Sequence, residues 1–345
     1  MSAPVPGLPS APLGRTGLTV SRIGFGCAPL GDFFDRLDER QCLDTVAAAH
    51  AAGVTLFDVA PHYGNGLAEH RLGTALRGMD RGRVVLSSKV GRYMVPERGA
   101  GPARGFAGGL PHRAVFDYSH DGTLRAVEQS LLRLGTDRLD IALIHDVDDW
   151  THGAEGAEAR FAEAMAGALP ALERLKAEGV VGAIGLGLDD HVFAERFLRA
   201  GDFDVLLLAG RYSLLEQPAA ATLLPLAAAQ GVGVILGGVF NSGILATGAV
   251  AGARYNYDPA PEEIMAQVAR IEAVCEAHGT PLAVAALHFA LGHPAVASVV
   301  LGAVHPQEVS RNIAALEAVP PPALWSDLRD AGLIAETAVL PCAGP

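Results

Sequence analysis

The 345-residue chain has little of what ties a protein to nucleic acid, membrane or the secretory route. Lys and Arg total 26 against 38 Asp and Glu, a formal charge of −12, and no basic run occurs. Nucleic acid and anionic lipid surfaces are poor partners for such a surface. Cysteine is scarce: four residues, Cys27, Cys42, Cys275 and Cys342, with no C-x-x-C pair. They read as reduced thiols in a cytoplasmic protein. The opening MSAPVPGLPSAPLG has neither the basic nor the apolar segment of a signal peptide. Residues 217–253 carry no charge, but Pro225, Gln230, Gly231, Gly233, Gly237 and Gly238 interrupt them. A buried helix followed by a buried strand is expected there rather than a membrane span. What is abundant is apolar side chain, half of all residues, ample for a large core.

Short apolar, β-branched runs recur at 21–26, 55–60, 84–90, 139–145, 182–188, 205–210, 232–239 and 297–303. Most are apolar throughout rather than alternating, the pattern of parallel strands covered on both faces. Helical patterns lie between them. Leu124, Val127, Leu131 and Leu134 form one stripe, with Asp121 as the expected N-cap and Gly135 as the stop. Residues 38–52 and 190–200 end at Gly53 and Gly201, while Pro261 and Pro306 open two more helices. Pro170 is expected to kink or divide the pattern over 161–175.

Eight strand–helix alternations predict an α/β fold of the (β/α)8 TIM-barrel type, a single domain over 1–345 with its core at about 12–330. Residues 12–20, turning at Arg15-Thr16-Gly17, should form a β-hairpin plugging one end. Connections 91–120 and 241–261 are long and would lie on the C-terminal face, where barrel enzymes keep their chemistry. The apolar tail 331–345 should fold over that face or be disordered.

Polar residues at C-terminal strand ends are therefore the candidates. Asp58 ends the second strand, Tyr63 follows it, Lys89 ends the third and His145 the fourth. A phenol ionises near pH 10, and an adjacent ammonium should lower that value. Asp58 would hold Lys89, and His145 would orient a substrate oxygen. The set suits general acid/base chemistry at a carbonyl–alcohol pair, which needs a hydride carrier. No H-E-x-x-H or H-x-H spacing supports a metal, and none is expected.

At these residues the sequence resembles the aldo-keto reductase superfamily over nearly its whole length. Leu13-Gly14-Arg15-Thr16-Gly17 with Ile23-Gly24-Phe25-Gly26-Cys27 is similar to that family's opening. The run from Phe57 to Gly64 with Glu69 and Leu72-Gly73, and the run from Leu134 to Asp140 leading to Ile144-His145, are similar to its signatures. The resemblance implies a tetrad of Asp58, Tyr63, Lys89 and His145, with Tyr63 as proton donor or acceptor. It implies a nicotinamide dinucleotide extended across the rim, touching Gly26, Cys27, Gly302 and Asn312, with Phe240, Asn241, Ser242 and Gly243 as the pyrophosphate loop. No G-x-G-x-x-G follows any strand, so a Rossmann crevice is not expected.

Four positions depart from the family's pattern: Gly187-Leu188 for the usual Ser-Asn, Ala209 for Gln, and Gly237 for the aromatic that stacks on nicotinamide. Phe240 or Tyr212 is the expected substitute. These features, with the sequence around His145 and Trp150, resemble the branch of D-threo-aldose 1-dehydrogenases (L-fucose dehydrogenases) and pyridoxal 4-dehydrogenases, which oxidise a cyclic hemiacetal to a lactone. Glu308 falls where the family's 2′-phosphate site usually carries a basic residue, so NAD is expected, with NADP as the alternative if Arg311 turns inward. His62 and Trp150 are expected to touch substrate, and Arg92, Tyr93 and His112 to bind hydroxyls. The expectation is an NAD-dependent aldose 1-dehydrogenase, monomeric or a small homo-oligomer, acting on a small molecule. A pyridoxal dehydrogenase, a general carbonyl reductase and a non-catalytic nicotinamide-binding barrel are the alternatives.

Overall fold

The computed structural model describes residues 8–341. Eight parallel strands close on themselves: β1 (Ile23–Gly26), β2 (Leu56–Asp58), β3 (Val85–Val90), β4 (Leu139–His145), β5 (Val181–Leu188), β6 (Val205–Ala209), β7 (Gly233–Gly237) and β8 (Val296–Leu301), each paired with its sequence neighbours and β8 with β1. All eight coincide with the expected runs to within a few residues. The reason is burial on both faces. Leu56, Val85, Ile141, Leu143, Val205 and Ile235 fill the barrel interior, while Phe57, Leu86, Ile144, Leu186 and Leu206 pack outward against the helices.

The hairpin forms from strands Ser10–Pro12 and Thr19–Ser21. Leu13 and Val20 are fully buried against the interior side chains, and Arg15 N donates to Gly231 O at 2.9 Å. It stoppers the N-terminal end and leaves the C-terminal end for the site.

Local chemistry explains the helix ends. Asp38 caps Glu39–Ala51 by accepting from Gln41 N. Helix His120–Leu134 starts earlier than expected, because Ser119 rather than Asp121 caps it. The Asp117 carboxylate accepts from both Ser119 N and Ser119 Oγ and so aims that hydroxyl oxygen at Gly122 N. Gly135 ends this helix in the left-handed conformation. Pro170 does not break its pattern. Helix Asp149–Glu163, itself interrupted at Gly153, runs through a wide π turn at Ala164–Ala168 into Leu169–Ala177. That turn absorbs the missing N–H and the ring's clash with the preceding turn.

The uncharged stretch forms helix Leu223–Gln230 followed by β7, and no helix among the described residues is long and apolar enough to cross a membrane. Connection 91–120 folds into a hairpin, Arg92–Pro96 with His112–Phe116, and 241–261 into a short helix, Ile244–Thr247, and a small hairpin, Arg254–Tyr255 with Asp258–Pro259. The tail departs from expectation. After helix Pro322–Asp330, the buried Leu333, Ile334 and Ala338 pack on the outer helices, and Pro341 lies against Gly292. It runs down the side of the barrel because its apolar residues find cover there, not over the rim. Cys342 lies outside the described residues.

Candidate active site

Register brings the expected residues together. Asp58 is paired with Ser87 across β2 and β3, and Ser87 Oγ donates to Asp58 Oδ1 at 2.8 Å. Lys89, one of only two lysines in the chain, donates from Nζ to Asp58 Oδ2 at 2.6 Å and to Val59 O at 3.0 Å. Its ammonium lies 4.9 Å from the centre of the Tyr63 ring. His145, at the end of β4, meets that ring edge-on at 6.3 Å. Tyr63 is placed by a close backbone approach. A Cβ on Gly31 would fall 2.6 Å from Tyr63 C, and one on Gly64, itself at φ +62°, would fall 2.5 Å from Gly31 O.

The electrostatics differ in one respect from the sequence expectation. Burial pushes the Tyr63 phenol up, and Lys89 pulls it back without cancelling the rise, so the neutral phenol is favoured more strongly than in water. Burial works against the Lys89 charge, but Asp58 and Tyr63 overcome it and the ammonium is held more firmly. Burial drives His145 well below its ordinary value, against Asp146, so the imidazole is neutral. His62 falls to about 4 for the same reason, with Arg92 adding to the effect.

These groups face a cavity of about 880 Å³ on the C-terminal face. Its other wall is aromatic, built from separate loops. Phe33 follows β1, Phe106 follows β3 and Tyr257 follows β7, with ring centres 5.1 Å (Phe33–Phe106) and 5.7 Å (Phe33–Tyr257) apart. Phe106 lies near-parallel to Tyr63 at 6.2 Å and edge-on to His62 at 5.5 Å. Trp150, 57% exposed, lines the mouth under the Arg104 guanidinium. Arg92 and His112 also line the cavity. Tyr93 does not, and lies instead under Arg125, 4.0 Å from ring centre to guanidinium carbon.

Two carboxyl groups here were not singled out from the sequence as substrate contacts. Asp146, with its backbone at φ +52°, points Oδ1 to within 3.2 Å of His145 Nε2 and pairs with the buried Arg92. Burial alone would raise it, but His145 and Arg92 hold it at about 2. Asp189, just past β5, lines the cavity, and its charge interacts with that of the buried Asp148, whose Oδ1 accepts from Thr151 N at 2.7 Å and whose Oδ2 has no hydrogen-bond partner. Burial, then Asp148 and Asp146, push Asp189 up to about 7 against Arg211. Both follow strand ends, which was the available signal, but their partners lie far away in sequence.

The remaining expected contacts fall on the rim above β1, β7 and β8. Gly26 pairs with Asp58, and a Cβ on it would sit 3.6 Å from Gly302 N. The Cys27 thiol is sealed inside, pushed well up by burial, so only its backbone is near the rim, where its N–H donates to Asp58 O. Tyr212 is not a rim residue: it stacks on Phe289 in the outer core at 5.2 Å. Phe240 is half-buried beside the loop of Asn241, Ser242 and Gly243, three consecutive left-handed residues. The buried Asn241 Oδ1 has no partner, and Gly243 faces open space. The cavity lining includes the small residues Ala28, Gly187 and Ala209, and a Cβ on Gly187 would sit 3.4 Å from the Lys89 side chain. An orphaned polar atom on a turned loop and a lining with room for a flat ring fit a bound dinucleotide. Glu308 Oε2 accepts from Val304 N at 2.8 Å, and Arg311 stays beside Glu308 at 3.7 Å, exposed to solvent; Asn312 is half-buried nearby.

Comparison with known proteins gives a consistent picture. The profile of the Aldo/keto reductase family matches residues 22–331. The chain is 39% identical to a pyridoxal 4-dehydrogenase of Microbacterium luteolum, over 93% of this chain and 97% of that one. It is 38% identical to a D-threo-aldose 1-dehydrogenase of a Pseudomonas species, over 92% and 96%. An aldo-keto reductase from Bacillus halodurans, solved in its holo form, superposes with a TM-score of 0.69 at 26% identity, covering 96% of this chain and 98% of that one.

Proposed function

The chain belongs to the Aldo/keto reductase family, and from that premise we propose that it is an NAD-dependent aldose 1-dehydrogenase, oxidising the C1 hemiacetal of a sugar to a lactone. The observation that carries the reading is the convergence of Tyr63, Lys89 and His145, with Asp58 behind Lys89, in a cavity walled on one side by polar groups and on the other by aromatic rings.

When bound, the nicotinamide supplies the hydride acceptor, and Gly26, Asn241, Ser242, Gly243, Gly302 and Asn312 are the residues that would hold the dinucleotide. The residues of the chain handle the proton. Tyr63 takes it from the anomeric hydroxyl as the C1–H bond breaks, and gives it back in the reverse direction. Lys89 stabilises the phenolate form that must be present to take this proton, and that is left when the proton is given back in the reverse direction, at a site where burial otherwise opposes it. Asp58 fixes Lys89, and the neutral His145 orients the reacting oxygen. Glu308 disfavours a 2′-phosphate by like charge, which is the support for NAD; its hydrogen bond to Val304 N also caps the turn. Asp146, Asp189 and His62 are placed to meet sugar hydroxyls, and Trp150 an apolar sugar face.

The aromatic wall of Phe33, Phe106 and Tyr257 supports a second reading, a pyridoxal-type hemiacetal stacked as a flat ring. Reduced-nicotinamide formation with NAD and then NADP, against L-fucose, D-arabinose, L-galactose, D-glucose and pyridoxal, separates the two. Sugar oxidation with NAD preferred supports the proposal. Oxidation of pyridoxal alone moves the substrate, and silence across the panel overturns both.

A further inference from the structure

The pair formed by Asp146 and Arg92 has a geometry that the tetrad does not require. Asp146 Oδ1 stands 3.2 Å from His145 Nε2, beside the place where the reacting oxygen must lie, and its other oxygen is taken by Arg92. The arrangement is built rather than incidental. Arg92 is 4% exposed and stacks on Phe116 at 4.5 Å. Tyr118 Oη donates to His145 O at 2.7 Å and approaches Asp146 O at 3.1 Å, pinning a turn in which Asp146 adopts a left-handed backbone. Asp146 N also donates to Gly187 O on the adjacent strand.

A carboxylate accepts hydrogen bonds and donates none. A carbonyl oxygen held by Tyr63 and His145 offers only lone pairs, so a fixed negative charge at its side repels it. A hydroxyl at the same carbon offers lone pairs and a proton, and the carboxylate attracts that proton. From this contrast we propose that Asp146, clamped by Arg92, is a specificity-determining residue that favours ligands carrying a hydroxyl over a carbonyl at the reacting carbon, biasing ground-state binding toward the substrate of oxidation and away from its product. The inference rests on the proposed Tyr63–His145 centre. His145 and Arg92 together hold the Asp146 carboxyl at about 2 against the burial that would raise it, so the acceptor is ionised near neutral pH. His62 on this wall is neutral and adds no competing charge, and Asp189, which also lines the cavity, has its own ionisation pushed up to about 7 by burial, Asp148 and Asp146.

The test uses a ligand pair that differs only at C1, L-fucose and its lactone, titrated calorimetrically into the full-length protein loaded with NADH, where the sugar has no hydride acceptor. Asp146→Asn keeps the shape and removes the charge. The double variant Arg92→Gln/Asp146→Asn removes both charges, so no unpaired guanidinium is left in the core. In both variants sugar binding should weaken by about tenfold or more, as expected for loss of a charged hydrogen bond. Lactone binding should hold or tighten. Equal weakening of the two ligands, or an unchanged ratio, overturns the inference and leaves the proposed function standing. If the wild type binds neither, pyridoxal as its hemiacetal and the corresponding lactone take their place, and the same ratio decides. Failure of both pairs to bind the wild type defeats the proposed function and this inference with it.

Discussion

The Lys89 ammonium and the Asp58 carboxylate lie 2.6 Å apart, and both side chains are almost wholly sealed from solvent, at 1% and 4% exposure. A buried pair of this kind contributes little net stability, because desolvation offsets the attraction, but breaking it strands a charge. Its value is positional: it fixes a cation against the Tyr63 ring.

Lys89→Met should therefore damage two properties at once. Stability should fall by about 3–5 kcal/mol as Asp58 is left uncompensated, and turnover by about a hundredfold or more as the phenolate loses its partner. The double variant Asp58→Asn/Lys89→Met should recover most of the stability and none of the activity. Denaturant unfolding and initial rates check this; recovery of both would mean that Lys89 acts only through the fold.

Asp189 and Asp148 give the protein a titration near neutrality. An unfolded Asp loses its proton near pH 4, whereas burial, Asp148 and Asp146 hold the Asp189 proton to about 7, against Arg211. Between those values the native state binds more protons than the unfolded chain, so stability falls as pH rises and the loss is complete above about 7. The proton belongs to the pair rather than to one residue. Asp189→Asn should flatten this fall, raising Tm relative to wild type more at about pH 8 than at about pH 5. Parallel Tm curves for the two proteins would remove Asp189 as the source.

Glu308→Arg exchanges repulsion of a 2′-phosphate for attraction. The ratio of kcat/KM for NADP over NAD should rise by about tenfold or more. Steady-state kinetics with both dinucleotides measure it, and an unchanged ratio would place the ribose contact elsewhere on the rim.

Much of this architecture was legible in the sequence because barrel strands covered on both faces leave continuous apolar runs, and because a strand's last residue is fixed at the rim by register. Asp58 and His145 could be placed that way, Lys89 as the last residue but one of β3, and Tyr63 by its short distance from β2. The aromatic wall was not legible: Phe33, Phe106 and Tyr257 sit on three loops whose meeting depends on tertiary packing, with no periodic signal in any of them. The Asp146–Arg92 pair has the same origin, joining residues on two loops. The direction of the Tyr63 shift was misjudged because a sequence shows the neighbouring ammonium but not the depth of burial, and burial is the larger effect. The tail 331–345 reads in the sequence as folding over the C-terminal face or as disordered, because its apolar residues are visible there and the helices that cover Leu333, Ile334 and Ala338 are not.

The most direct test of the account is Tyr63→Phe, assayed for reduced-nicotinamide formation from L-fucose and NAD, with NAD binding measured separately on the same preparation. Loss of the hydroxyl removes the group proposed to move the proton and little else. The account predicts that turnover disappears while NAD binds as tightly as to wild type. A variant that keeps most of its turnover would contradict it.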